Sequence, residues 1–135
     1  MALLTIDAVP EKLPEVQAFV EGQLEAMECP MKVMLQISVA VEEIFVNIAC
    51  YGYPEHQGQA QIEVALQPAP RAVRITFTDS GIPFDPLAKP DPDVTLSAGE
   101  RGIGGLGIYM VKKTMDDVSY ERKDGQNVLS ILRMF

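Results

Sequence analysis

The stretch that decides the fold is KVMLQISVAVEEIFVNIACY, residues 32–51. Its apolar residues recur at intervals of three and four, the spacing that places side chains on one face of an α-helix. They are Val33, Ile37, Val41, Ile44 and Ile48. Gly52 and Pro54 then supply the stop expected after a helix. We predict that this helix is the central helix of the fold.

The elements on either side follow from the same kind of pattern. Helical spacing marks residues 13–27 and 105–115, and alternating or apolar runs mark strands. The strands are predicted at 2–7, 61–67, 72–78, 118–122 and 127–134, the second with the third and the fourth with the fifth as hairpins. A proline-containing loop, 82–102, precedes the last helix. Three helices on one face of such a sheet give a two-layer α/β sandwich, and we expect the sheet to be mixed.

Length and composition predict one soluble domain spanning residues 1–135. Apolar residues make up 47% of the chain and charged residues 22%, a balance typical of globular proteins. The apolar runs are far shorter than the roughly 20 residues that span a bilayer, and the first residues lack the basic start of a signal peptide. We therefore expect a cytoplasmic protein without a membrane partner.

The charge distribution disfavours nucleic acid as a partner. Eleven basic and nineteen acidic residues give a net charge of −8, which opposes a broad grip on DNA, RNA or anionic lipid. Ten acidic and two basic residues lie in 1–70, whereas 71–135 hold nine of each, so an anionic ligand should favour the second half. Cys29, Cys50 and His56 lack metal-ligand spacing, and we interpret the thiols as reduced and structural.

Glu43 and Asn47 stand four residues apart on the central helix, so their side chains project from one face, one turn apart. They fall beside the apolar stripe, where a partly buried carboxylate and amide need partners. A metal ion or a ligand would satisfy both groups. Taken alone, the pair also fits a structural role, with both groups bonded to neighbours or water.

Asp79 ends an apolar strand in TFTDSGIPFDP, residues 76–86. A carboxylate at a strand end can accept a hydrogen bond from an exocyclic amine, and Gly81 would let a flat ring approach the backbone. The same residues also fit an ordinary Asp-Ser-Gly turn.

A glycine run, GIGGLG at residues 102–107, leads directly into the last predicted helix. Such a start presents free N–H groups and the positive end of the helix dipole to a phosphate. The run matches G-x-G-x-x-G, but a Rossmann fingerprint needs an apolar strand immediately before the glycines, and here a proline-rich loop precedes them. A P-loop is excluded because the chain has no Gly-Lys-Ser/Thr.

Together these features resemble the GHKL (Bergerat-fold) ATP-binding superfamily, and its short anti-sigma-factor serine kinases look closest. VEEIFVNIACYGYP (41–54) resembles the N-box, and FTDSGIPFDP (77–86) the first glycine box. GIGGLGIYMVKKTMDDVSYERKDG (102–125) resembles the second glycine box. The element order matches over essentially the whole chain.

The resemblance implies a role for each matching residue. Asn47 would ligate Mg²⁺, and Glu43 would be the general base that deprotonates a serine hydroxyl on a partner protein. Asp79 would read the adenine amine of ATP, with Gly81 allowing close approach of the base. A lid, residues 84–102, would cover the nucleotide. The phosphate would be cradled by Gly104, Gly105 and Gly107.

Basic residues near the phosphates are less clearly assigned by the resemblance. Arg101 would contact the γ-phosphate as a catalytic cation, or else is a surface arginine in a loop. Lys112 and Lys113 are expected to be solvated. Tyr51 occupies a place where the family often has a basic or imidazole side chain.

The implied function is a protein-serine kinase that uses Mg-ATP and acts as an anti-sigma factor. It would bind a sigma factor, phosphorylate an anti-anti-sigma (STAS-type) partner and possess the capacity to form a homodimer. Two alternatives remain: an ATP-gated interaction module without phosphate transfer, and a free-standing histidine-kinase-like ATPase domain. The latter is weakened because the chain lacks a dimerising hairpin with a phospho-acceptor histidine, and His56 is predicted in a loop.

Overall fold

The structure, a computed structural model, describes residues 1–88 and 105–135, with only the backbone at 105 and 106. These residues form five strands and three α-helices close to the predicted ones. The strands are β1 (Ala2–Asp7), β2 (Gln59–Pro68), β3 (Arg71–Asp79), β4 (Asp117–Lys123) and β5 (Gln126–Met134). The helices are α1 (Leu13–Ala26), α2 (Met31–Asn47) and α3 (Gly105–Thr114). The second helix continues into a π-helical turn, Ile48–Gly52.

The five strands form one sheet in the order β1-β2-β3-β5-β4, and every neighbouring pair is antiparallel. The expectation of a mixed sheet is wrong in this respect, whereas the two-layer α/β architecture is confirmed. Two helices, α1 and α2, connect β1 to β2. The chain runs back along α1 and forward along α2, so β2 begins at the edge of the sheet where β1 ends and runs antiparallel to it. The single helix α3 makes β4 parallel to β3, but β5 lies between them.

The core lies between the sheet and the helices. α1 contributes three fully buried residues, Val16, Val20 and Leu24. α2 buries Ile37, Val41, Ile44 and Phe45 in the same cluster as Ile62, Ile75 and Phe77 of the two central strands. This packing fixes the carboxyl end of α2 beside the carboxyl end of β3, where the candidate site lies.

The helical segment Met31–Gly52 is apolar enough, with a mean hydropathy of 1.7 over an 18-residue window, and long enough at 22 residues to cross a membrane. Core helices of soluble proteins pass the same test. In this fold one side of the segment packs in the core described above. Its opposite side is not covered by the core.

Candidate functional site

Asp79 lies at the floor of a cleft between α2 and the sheet, and its side chain is only 5% exposed. The Gly81 backbone N–H donates to its Oδ1 at 2.9 Å, and the Asn127 side-chain Nδ2 donates to the same oxygen at 3.0 Å. Among the described residues both bonds fall on Oδ1. The second oxygen, Oδ2, is therefore available to a donor entering the cleft.

Asn127 is a residue of this cleft that the sequence analysis missed. It is buried, and it pairs with Asp79 across the β3–β5 ladder. Besides bonding Asp79, its Nδ2 donates to the Ile82 carbonyl at 2.8 Å, while its Oδ1 accepts from the Tyr120 hydroxyl and the Phe84 N–H. A signal was present, because Asn127 shares an inward face with the apolar residues that follow it in β5. Asn127 holds Asp79 in one orientation.

Gly81 is required by a close backbone contact. A Cβ there would lie 2.2 Å from the Gly52 carbonyl oxygen and 2.9 Å from Asp79 Oδ1. The next residue, Ile82, donates its N–H to the same Gly52 carbonyl at 2.9 Å. This contact joins the π-helical end of α2 to the end of β3. The predicted approach of a base at Gly81 stays a prediction, with this second reason for the glycine beside it.

Tyr53 reinforces the same junction. Its hydroxyl accepts from the Ser80 N–H at 2.8 Å and donates to the Gln59 carbonyl at 2.6 Å. Burial raises the pKa of this phenol, the hydrogen bond from the Ser80 N–H opposes the shift and the charge of Asp79 adds to it. The backbone that follows Asp79 is therefore fixed at two points, at Ser80 by Tyr53 and at Ile82 by Gly52.

The cleft is partly open to solvent. Its walls are mostly apolar, and four side chains with polar atoms, those of Asn47, Asp79, Tyr120 and Asn127, reach it. The apolar lining residues include Ile44, Ile48, Phe84, Ile108 and Leu129. An apolar slot with few placed polar groups is typical of small-molecule and cofactor sites. Its apolar walls and its acceptor suit a flat ring that carries an amine.

Glu43 and Asn47 lie at the other end of this site. Asn47 Nδ2 donates to Glu43 Oε1 at 3.3 Å, so the amide oxygen of Asn47 faces away from the carboxylate. Burial raises the pKa of the Glu43 carboxyl; the Asn47 hydrogen bond opposes the shift and the neighbouring Glu42 adds to it. The pair thus combines a partly desolvated carboxylate with a free amide oxygen.

The start of α3 closes against Glu43. A Cβ at Gly107 would lie 2.1 Å from the Glu43 carboxyl carbon, so only glycine fits there without displacing the carboxylate. Glu43, Asn47 and Gly107 are therefore brought together, as the sequence predicts, and Gly105 is the first residue of α3. Arg101 and Gly104 lie outside the described residues, as does most of the predicted lid.

Residues set aside in the sequence analysis lie away from this cleft. Tyr51 is 56% exposed, and Lys113 lies over the Tyr109 ring at 5.4 Å in the last turn of α3. Cys29 and Cys50 are free thiols. Within 1–88 and 105–135 no group of three or more His, Cys, Asp or Glu side chains could hold a metal ion.

The fold and the site together define an ATPase-type nucleotide-binding domain. Residues 6–133 match the model of the histidine kinase-like ATPase domain family, and the chain belongs to that family. The resemblance to the RsbW-like serine kinases of the GHKL superfamily is confirmed by the comparisons that follow.

Two named relatives are serine kinases. The chain is 28% identical over 96 residues to the serine/threonine-protein kinase BtrW of Bordetella bronchiseptica, which covers 70% of this chain and 66% of that protein. It is 28% identical over 97 residues to the serine-protein kinase RsbW of Bacillus cereus, covering 69% of this chain and 59% of that protein. The chain thus matches less than two thirds of either relative's length.

Solved structures share the fold at low identity. The RsbU and RsbW domains of a Mycobacterium tuberculosis protein superpose with a TM-score of 0.66 at 16% identity, over 99% of this chain and 32% of that one. The SiaB–SiaC complex of Pseudomonas aeruginosa gives a TM-score of 0.60 at 16% identity, over 98% of this chain and 89% of that one. These likenesses confirm the α/β sandwich.

Proposed function

We propose that residues 1–135 form a cytoplasmic protein-serine kinase domain that transfers the γ-phosphoryl group of ATP to a serine of an anti-anti-sigma (STAS-type) protein, and that also binds a sigma factor. The observation that carries the proposal is that Glu43 lies against Gly107 and is bonded to Asn47, which lines the same cleft as Asp79. Family membership and the names of the relatives support phosphate transfer.

The residues present fit Mg²⁺ bound together with ATP. Asn47 directs its donor at Glu43, which leaves an amide oxygen, a ligand type that Mg²⁺ accepts. Mg²⁺ usually takes one or two protein ligands and completes its shell with phosphates and water, in keeping with the absence of a larger carboxylate cluster among the described residues. When bound, the ion would neutralise phosphate charge beside an acidic protein.

Glu43 is suited to be the base. The serine hydroxyl of the partner would give its proton to the Glu43 carboxylate as its oxygen forms a bond to the γ-phosphorus, and ADP would leave with the electrons of the broken bond. A raised pKa makes this carboxylate a stronger proton acceptor than an exposed glutamate. Gly107 keeps space for the carboxylate at the start of α3.

Asp79 and Asn127 would select the base. Oδ2 of Asp79 would accept from the exocyclic amine of adenine, while Asn127 fixes the carboxylate from behind. Both donors of the Asn127 amide are already used, on Asp79 and on Ile82. A purine with an oxygen in place of that amine would meet an acceptor without a compensating donor, so the pocket should favour ATP over GTP.

The test is incubation of the chain with ATP labelled at the γ-phosphate, Mg²⁺ and the STAS-type proteins of the same organism. Glu43→Gln should retain ATP binding in calorimetry but lose about 10²- to 10⁴-fold in transfer rate, the usual contribution of a general base. Glu42→Gln, the adjacent exposed residue, is the matched control and should transfer normally. Transfer by Glu43→Gln at the unmodified rate would remove its base role, and binding without transfer by the unmodified chain would favour an ATP-gated module.

A further inference from the structure

The solvent side of α2 carries an apolar ridge formed by Met31, Leu35 and Val39. Their exposed fractions are 66%, 59% and 57%. Spaced four residues apart, they follow one line along the helix over about 12 Å. The opposite side of α2 is buried in the core, so this helix is apolar on two faces, only one of which the fold explains.

This apolar ridge differs from the other exposed apolar residues. Leu3, Ile82 and Met134 are also exposed, but they lie singly on β1, on the segment after β3 and on β5. Scattered apolar side chains are normal on protein surfaces, whereas a contiguous row rimmed by polar residues is typical of interaction sites.

Three acidic residues border the ridge, and one exposed basic residue, Lys32, lies beside Met31 at its amino end. Glu21 of α1 accepts a hydrogen bond from Ser38 at 3.3 Å, which places it on the seam between α1 and α2. Glu25 lies one turn further along α1 and Glu42 lies on α2; both are exposed. In the described part of the chain the one ion pair is Lys12 with Glu15. The acidic border is therefore free to meet a basic partner.

We propose that this ridge docks an amphipathic helix of another protein, with apolar residues along one line and lysine or arginine on its flanks. A second copy of this chain fits poorly, because a two-fold pairing with α2 antiparallel would set the acidic α1 border against itself. An anionic membrane would be repelled by the same carboxylates. A helix laid on an apolar ridge is a common mode of protein recognition.

The ridge ends one helical turn before the nucleotide cleft. Val39 precedes Glu43 by four residues, about 6 Å along the helix axis, and Asn47 by eight. The docked helix needs contacts only with the ridge and its border, so the proposal does not depend on phosphate transfer. Nucleotide binding measured on the same variants separates a failure of this proposal from a failure of the proposed kinase function.

The test uses the full chain and two synthetic helical peptides with the same leucine ridge, one flanked by lysine and one by glutamate. Fluorescence anisotropy at physiological salt should show binding of the lysine peptide at least about tenfold tighter than the glutamate peptide. The double variant Leu35→Ser, Val39→Ser should weaken it by about tenfold or more. Leu3→Ser, an equally exposed leucine on β1, should stay within about twofold.

Charge supplies a second pair of variants. Glu25→Lys should weaken the lysine peptide about three- to tenfold, whereas Glu121→Lys on β4 should leave it unchanged. Equal losses in the ridge variant and Leu3→Ser, or equal binding of both peptides, would overturn the proposal. So would sedimentation showing a dimer of the unmodified chain that the ridge variant dissociates, since the occupant would then be a second copy.

Discussion

The two ends of the cleft are built differently. At the base end, Asp79 and Asn127 are almost fully buried and share a network that reaches Gly81, Ile82 and Tyr120. At the phosphate end, Glu43 and Asn47 are partly exposed and share one bond of 3.3 Å. The first end is fixed before a ligand arrives, whereas the second keeps unused oxygen atoms. If ATP binds as proposed, the site for its base is preorganised, whereas the other end would complete its contacts only with the phosphates bound.

Among effects on ligand binding and stability, the largest is expected from removing the side-chain amide of Asn47 at the phosphate end. Asn47→Ala should lose roughly 100-fold in ATP affinity when Mg²⁺ is present and little when the metal is chelated, because the lost atom is the proposed metal ligand. Calorimetry with and without chelator measures both. Asn47→Asp keeps an oxygen ligand and is the control. An equal loss with and without metal would show that Asn47 holds the structure of the cleft instead.

At the base end, breaking the network should cost stability as well as affinity. Asn127→Leu removes the partner of a buried carboxylate and should lower the free energy of unfolding by roughly 2–3 kcal/mol. Tyr120→Phe removes one hydroxyl from the same network and should cost about 1 kcal/mol. Urea unfolding gives both values. An unchanged free energy of unfolding in Asn127→Leu would show that the Asp79–Asn127 network does not stabilise the base end of the cleft.

Two glycine-to-alanine variants test the close contact between Gly81 and Gly52 that supports the base end. Gly81→Ala should destabilise the fold by about 1–3 kcal/mol, because its Cβ would collide with the Gly52 backbone. Gly22→Ala in α1, where a Cβ meets nothing within 4 Å, should stabilise the helix by up to about 1 kcal/mol. Thermal unfolding of both variants checks the contrast, and a tolerated Gly81→Ala would contradict the close contact.

The smallest effect concerns the charge of Glu43. Its pKa is raised in the folded state, chiefly by burial, so the protonated form is favoured on folding. The stability gained from this group is present below its unfolded pKa and is lost as the pH rises through the folded value. Glu43→Gln should therefore raise the melting temperature slightly at neutral pH and leave it nearly unchanged at acid pH. A variant less stable than the unmodified chain at neutral pH would contradict this.

Sequence patterns predicted the elements well because helix and strand periodicities are local. The α2 stripe and the alternation around Ile62 and Ile75 both reflect which side chains face one core. Strand directions were less accessible, since β5 inserts between β3 and β4 only in three dimensions. Glu43, Asn47 and Asp79 were predicted as site residues from their positions in the sequence and from the resemblance to the GHKL superfamily.

Contacts between residues far apart in the chain could not be predicted from the sequence. Asn127 is 48 positions from Asp79, and a single polar residue near a hairpin turn predicts no partner. The approach of Gly81 to Gly52 depends on how α2 ends: the predicted helix ran to Tyr51, whereas the α-helical part ends at Asn47 and a π-helical turn follows. Tertiary packing decides both features.

The side-chain amide of Asn127 connects the cleft to the chain segment that follows β3. Asn127 orients the base-reading carboxylate and at the same time bonds Ile82 and Phe84, which begin the chain segment that leads out of the cleft. If a nucleotide occupies the pocket as proposed, it contacts the carboxylate that this same amide orients, so binding and the hold on the segment would be linked. A protein that binds the segment more tightly in the nucleotide-bound state must itself raise the affinity for nucleotide by the same factor.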